Sequence, residues 1–354
     1  MTDKLSTIFI WITMLVSAAV IAVMLLVGKP KEELVKVEPK PIAERVERTF
    51  YEKDDTLAEN SIKICLPPGI EQQQISFEND YMNKTLRINI ARQPETTWTD
   101  EFFYENRMRI HARVGELKLS ESAEAVTISL PFESVFEWEM KIEKEAGNNY
   151  LDVQLVRPRD KYEKIIVLDA GHGGEDPGDV ITGEDESVLL AESDLVFSVV
   201  SKAGKLLEKE GICVYYTRDD ETNPTQKQRV SLANEIQADM LISVHADYDV
   251  DTTLYGMRTI YNETYFIPEF ASADLAYLLL EKVAASTNEK ALGFEPGMGE
   301  TELVQQAMVP VAQLYIGYLS NKQEQKLLEK EEHIDRIATG IYDAVLAGYE
   351  EMKK

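Results

Sequence analysis

The sequence predicts an α/β fold, a mainly parallel twisted sheet flanked by helices, preceded by a small all-β sandwich-like domain and an N-terminal transmembrane helix. Three observations carry this expectation: an uncharged apolar run near the start, a middle stretch of alternating apolar and polar residues, and a C-terminal half in which apolar strands alternate with helical periods. They divide the chain into residues 1–28 (anchor), 29–60 (polar linker), 61–160 (β-rich) and 161–354 (α/β).

The first element runs from Leu5 to Gly28 without a charge, long enough to cross a hydrocarbon core as a helix. Ser17-Ala18-Ala19 mimics a signal-peptide cleavage site, but the run continues to Val27, so an uncleaved anchor is expected. Flanking charges do not orient it, because Lys4, Lys29 and Lys31 stand against Asp3, Glu32 and Glu33. The Lys-, Glu- and Pro-rich linker follows as an extended, solvated spacer. Runs such as SIKICLP, TLRINIA, AVTISLPF and YLDVQLV then alternate with period two, the pattern of half-buried strands. His111 falls in one of them and reads as a structural histidine.

From Lys164 the period changes. KIIVLD, CVYYTR, MLISVHA, GMRTIY and AQLYIGYL read as strands, and Ser193 to Lys209 places Leu195, Val199, Ala203 and Leu206 on one helical face. The stretch from Lys322 to the end is a charged amphipathic helix whose His333 has no sequence-adjacent ligand partner. With 63 acidic and 37 basic residues the net charge is −26, which excludes a nucleic-acid-binding surface. The two cysteines, Cys65 and Cys213, form neither a disulfide framework nor a cysteine-rich metal site and read as free thiols.

The chemistry concentrates at strand ends. KIIVLDAGHGGEDPG places His172 just past a buried strand, at the sheet edge where open α/β folds put ligands, and MLISVHAD does the same for His245. Two imidazoles plus one carboxylate make a three-ligand zinc site with a position left for water. Glu192, heading the helix DLVFSVVSKAGKLLE, is the expected carboxylate, and Glu184 and Glu186 on the preceding loop are looser alternatives. The Gly-rich turn is not a phosphate loop, because it lacks the Gly-Lys-Ser/Thr ending and carries acids.

IIVLDAGHGGEDPG, ESDLVFSVVSKAGKLLE, LISVHAD and IGYLSN, in this order, together resemble the zinc-dependent N-acetylmuramoyl-L-alanine amidases of bacterial cell walls, in their type-3 amidase domain. The resemblance implies zinc on His172, Glu192 and His245, peptidoglycan as substrate, and hydrolysis of the amide between N-acetylmuramic acid and L-alanine. It also implies a cell-membrane protein with its C-terminal domains outside, and further partners among cell-wall or division proteins. The β-rich segment resembles the AMIN wall-targeting modules that precede such domains. Regulated members carry an inhibitory helix where this chain has only NETYFIPEFAS, so residues 262–272 are expected to leave the groove uncovered.

One position departs from the family. Where its closing motif carries the glutamate that acts as general base, VPVAQLYIGYLSN has Tyr315. A phenol with a pKa near ~10 is a poor base at neutral pH. Glu300, Glu302 and Asp247 are the candidate replacement bases, and a catalytically impaired peptidoglycan-binding scaffold is the alternative reading. A zinc hydrolase acting on another amide would share the metal site.

Overall fold

The computed structural model describes residues 49–353 apart from 93–99, 184–186, 266–267, 298 and 300. Residues from Thr49 to the end form one compact unit. The expected single-pass membrane placement is corrected here. Among the described residues no helix is long and apolar enough to cross a membrane, and residues 1–28, on which that expectation rested, lie outside them.

Among the described residues the front of the unit contains nine strands, β1 (Tyr51–Lys53), β2 (Ser61–Leu66), β3 (Ile75–Asp80), β4 (Thr85–Ala91), β5 (Met108–His111), β6 (Lys118–Glu121), β7 (Ala125–Pro131), β8 (Glu137–Glu145) and β9 (Asn148–Val156). They make one sheet of order β1-β5-β2-β9-β8 and another of order β3-β4-β7-β6. In β4 and β7 every second residue is buried, so Leu86, Ile88 and Ile90 meet Val126, Ile128 and Leu130 in a core shared with Ile62, Ile64, Leu151 and Val153 of the other sheet. A short helix, α1 (Asp100–Glu105), places Phe103 in that core. His111 is structural here, its Nδ1 lying 2.8 Å from the Leu57 carbonyl oxygen.

After α2 (Pro158–Lys161) the chain builds a six-stranded sheet of order β13-β10-β14-β17-β15-β16. Its strands are β10 (Ile165–Ala170), β13 (Cys213–Tyr216), β14 (Met240–Asp247), β15 (Met257–Tyr261), β16 (Ala291–Pro296) and β17 (Val311–Tyr318). All neighbours are parallel except β15 and β17. β10 is buried along its whole length because both faces are covered, which is why it reads as a continuous apolar run. Ile166 and Leu168 face α3 (Glu192–Lys209), α5 (Ser272–Thr287) and α8 (Glu331–Glu351), while Ile165 and Val167 join the side covered by α4 (Gln226–Glu235) and α6 (Glu302–Gln306). His333 of α8 is buried. α7 (Lys322–Leu328) precedes α8, and a hairpin, β11 (Val180–Thr182) with β12 (Val188–Ala191), precedes α3.

The two parts of the unit meet at the outer edge of β13, whose backbone has no strand partner on that side. The Tyr81 phenol fills the vacancy, accepting from Tyr216 N (3.0 Å) and donating to Tyr216 O (2.9 Å). Glu137 accepts from Tyr215 (2.5 Å), and Glu235 accepts from Val135 N (2.7 Å) and pairs with Lys84 (2.6 Å).

Candidate metal centre

The carboxyl ends of β10 and β14 lie side by side, with Ala170 opposite Val244, so His172, two residues past β10, and His245, near the end of β14, emerge at one edge. There His172, Glu192 and His245 converge, one donor atom of each lying within 4.8 Å of the others. Glu192 is 2% exposed. Its carboxylate faces His172 Nε2 at 3.1 Å and His245 Nδ1 at 3.0 Å, and it accepts from the backbone of Asp179 (3.1 Å) and Ala246 (3.0 Å). The other nitrogen of His172 is held by Asp176, Nδ1 to Oδ2 at 2.9 Å, which turns Nε2 toward the cluster.

Electrostatics follow from this geometry. Hydrogen bonding to Glu192 pushes His172 up to about 9 against the opposing effect of burial, with the Glu192 charge and then Asp176 adding to the rise. Burial alone would raise Glu192, but hydrogen bonds from His172 and His245 and their charges hold it well below the usual carboxylate range. A buried carboxylate kept ionised between two imidazoles is a donor set suited to a divalent cation. The backbone makes room for it. A Cβ on Gly171 would lie 2.2 Å from His245 Cε1, and one on Gly178 would lie 2.6 Å from a Glu192 oxygen and 2.7 Å from His172 Cδ2.

His172 has a left-handed backbone (φ 57°), costly for a residue with a side chain. Two buried arginines hold it there. Arg229 donates to the carbonyls of His172 (2.7 Å) and Ala170 (2.6 Å), and Arg218 to those of Ala170 (2.8 Å) and Gly171 (2.9 Å). Beneath them Asp169, 1% exposed, pairs with Arg229 at 2.8 Å and accepts from Thr217 and Ser243. Burial pushes Asp169 up, but the Arg229 charge and the two hydroxyls outweigh it and hold the group below its ordinary value. Its ionised form therefore stabilises the fold at pH above the unfolded value near ~3.9, and that contribution is lost as pH falls through the depressed folded value. Asp169→Ala is expected to cost about 3–5 kcal/mol by stranding Arg229, and Asp169→Asn to flatten the acid limb of a denaturation series. Urea melts across pH check both.

Asp176, Arg218 and Arg229 are not singled out by the sequence. The candidate bases are placed differently from the histidines. Tyr315 on β17 pairs in register with His245, ring centroids 6.0 Å apart, accepts from Gln313 Nε2 (2.8 Å) and lies under the Arg258 guanidinium at 3.9 Å. Asp247 is paired with Arg258 at 2.7 Å. Glu302 is exposed on the first turn of α6, where it accepts from Gln306 (2.7 Å). Glu184, Glu186 and Glu300 lie outside the described residues. In the segment 262–272, Asn262 donates to the carbonyls of Gln305 and Ala307, and Phe270 is in the core.

The family model described as N-acetylmuramoyl-L-alanine amidase matches residues 166–347, which include all three converging side chains. A germination-specific N-acetylmuramoyl-L-alanine amidase of Bacillus subtilis is 28% identical over 202 residues, covering 53% of this chain and 81% of that protein. A probable cell wall amidase of Staphylococcus aureus, LytH, is 30% identical over 183 residues, covering 51% of this chain and 57% of that protein. Among solved structures, the catalytic domain of the amidase CwlV from Bacillus (Paenibacillus) polymyxa is similar at 28% identity and a TM-score of 0.47, covering 53% of this chain and 98% of that one.

Proposed function

Because the chain belongs to the N-acetylmuramoyl-L-alanine amidase family, we propose that it hydrolyses the muramoyl–L-alanine amide of peptidoglycan with a zinc ion held by His172, Glu192 and His245. The observation that carries this reading is the convergence of two imidazoles and a buried carboxylate at the strand ends of the matched region. Three nitrogen and oxygen donors are what zinc takes in hydrolytic sites, leaving a position for water. When bound, zinc supplies Lewis acidity, polarising the amide carbonyl and acidifying water.

The chain's own residues position and tune. Asp176 fixes the tautomer of His172, and Arg218 and Arg229 hold the backbone that presents it. Tyr315 occupies the place beside His245 where the family's base is expected, so the phenol serves as a hydrogen-bonding group and not as a proton acceptor. Loss of a positioned base lowers the rate by about 10² to 10⁴, so a slow enzyme is expected rather than an inert one.

The test is digestion of purified muropeptides by zinc-loaded protein beside His172→Ala. Release of free L-alanine-terminated peptides by the parent, its loss in the variant and a zinc-to-protein ratio near one in the parent alone are the expected results. A parent that binds zinc yet releases no peptide would replace the enzyme reading with that of a peptidoglycan-binding scaffold.

A further inference from the structure

A cavity of about 960 Å³ lies between the turn that joins β3 to β4 and the outer face of α3. One wall is Asn79, Tyr81 and Asn83, and the other is Phe197, Ser201 and Lys205, spaced four residues apart along the helix. Tyr216 forms part of the lining between them. A second, smaller cavity of about 230 Å³ is lined by His172 and His245. Asn223 and Pro224 line both, so the two cavities are neighbours.

Apart from Lys205, the charged groups of the larger cavity are already engaged. Glu78 and Asp80 pair with Arg87 (2.6 and 3.1 Å), Glu208 accepts from Tyr216 (2.9 Å), and Asp219 accepts from Thr222 (2.7 Å). Arg218 is committed to the carbonyls behind His172. For a ligand there remain the Ser201 hydroxyl, the Lys205 ammonium, the rings of Phe197 and Tyr216, and the other ends of two amides, since Asn79 Nδ2 donates to the Phe136 carbonyl (2.9 Å) and Asn223 Oδ1 accepts from Arg229 (2.7 Å). Apolar rings with a few placed polar groups, at a junction between two folded parts, are the usual make-up of an organic-ligand site. The lining sets four carboxylates against the two cations Lys205 and Arg218, a net negative surface that disfavours an anionic stem peptide. A glycan strand whose lactyl groups are still in amide linkage is neutral and rich in hydroxyls and N-acetyl groups.

We infer that this cleft binds a saccharide segment of the glycan strand bearing the scissile amide, an inference that rests on the amidase reading above. It uses the turn around residues 79–83, which lies outside the matched region 166–347, so the cleft is an addition to the amidase part of the chain.

The probe is the neutral tetrasaccharide of N-acetylglucosamine, titrated calorimetrically into the full chain, and the variants are Ser201→Trp and Asn83→Trp, which fill the cleft from opposite walls. Each is expected to weaken tetrasaccharide binding by about tenfold and to raise KM on polymeric peptidoglycan, while turnover of a minimal muramoyl peptide stays at the parent level. Unfolding temperatures equal to the parent's separate a blocked cleft from a damaged fold. A parent that does not bind the tetrasaccharide, variants that bind it as the parent does, or a stem peptide whose binding the variants abolish in its place would each overturn the inference. Failure of the zinc-loaded parent to cut the minimal muramoyl peptide would instead strike the amidase reading, and leave the saccharide titration to stand or fall by itself.

Discussion

Gly171→Ala is expected to empty the metal centre and lower muropeptide hydrolysis by about 10²-fold or more while the protein remains folded. The added methyl would sit 2.2 Å from Cε1 and 2.5 Å from both nitrogens of His245. Neither side can yield easily. His245 stands on β14, flanked by β10 and β17 and buried over most of its length, and Gly171 N is tied to the Val244 carbonyl at 3.0 Å. The ring must therefore turn away from Glu192, breaking the 3.0 Å contact on which the donor set depends. Gly178→Ala should fail for a second reason as well, since its φ of 65° disfavours any side chain. Zinc content by atomic emission, read beside a thermal melt, checks the result. A Gly171→Ala protein with the parent's zinc and rate would show that close backbone approach does not shape this centre.

The same geometry explains what the sequence made legible. His172 and His245 could be placed because one follows β10 and the other stands near the end of β14, each closing a continuous apolar run that changes abruptly to glycine or polar residues. Glu192 could be placed because it heads a helix with a clear apolar stripe. β16 gave no such signal, since every residue of ALGFEP is exposed at the sheet edge. The β11–β12 hairpin was equally hidden, its outer strand exposing Val188 and Leu189 where a pattern of burial would have to show. Arg218 and Arg229 escaped for another reason. Their acceptors are mostly backbone carbonyls, which every residue possesses and no sequence pattern marks.

Tyr315→Glu is expected to raise kcat on muropeptides, because a carboxylate beside His245 restores a group able to take a proton from water, an effect of about 10² to 10⁴ where the base is well placed. The single substitution should fall short of that range. The Arg258 guanidinium lies 3.9 Å from the centre of the tyrosine ring, so a glutamate there would gain a cationic neighbour that favours its ionised form and weakens it as a base. Arg258 is held in place by Asp247 at 2.7 Å, with Glu295 at 3.6 Å. Replacing it together with the tyrosine, as Tyr315→Glu with Arg258→Thr, removes that neighbour and leaves Asp247 without its cation but partly exposed, where water can solvate it. The double variant should therefore exceed the single one in kcat at unchanged zinc content, and Arg258→Thr alone should bring no gain. Equal rates for single and double variants would show that Arg258 does not govern proton transfer at this position, and parent-level rates in both would place the limiting step elsewhere than at Tyr315.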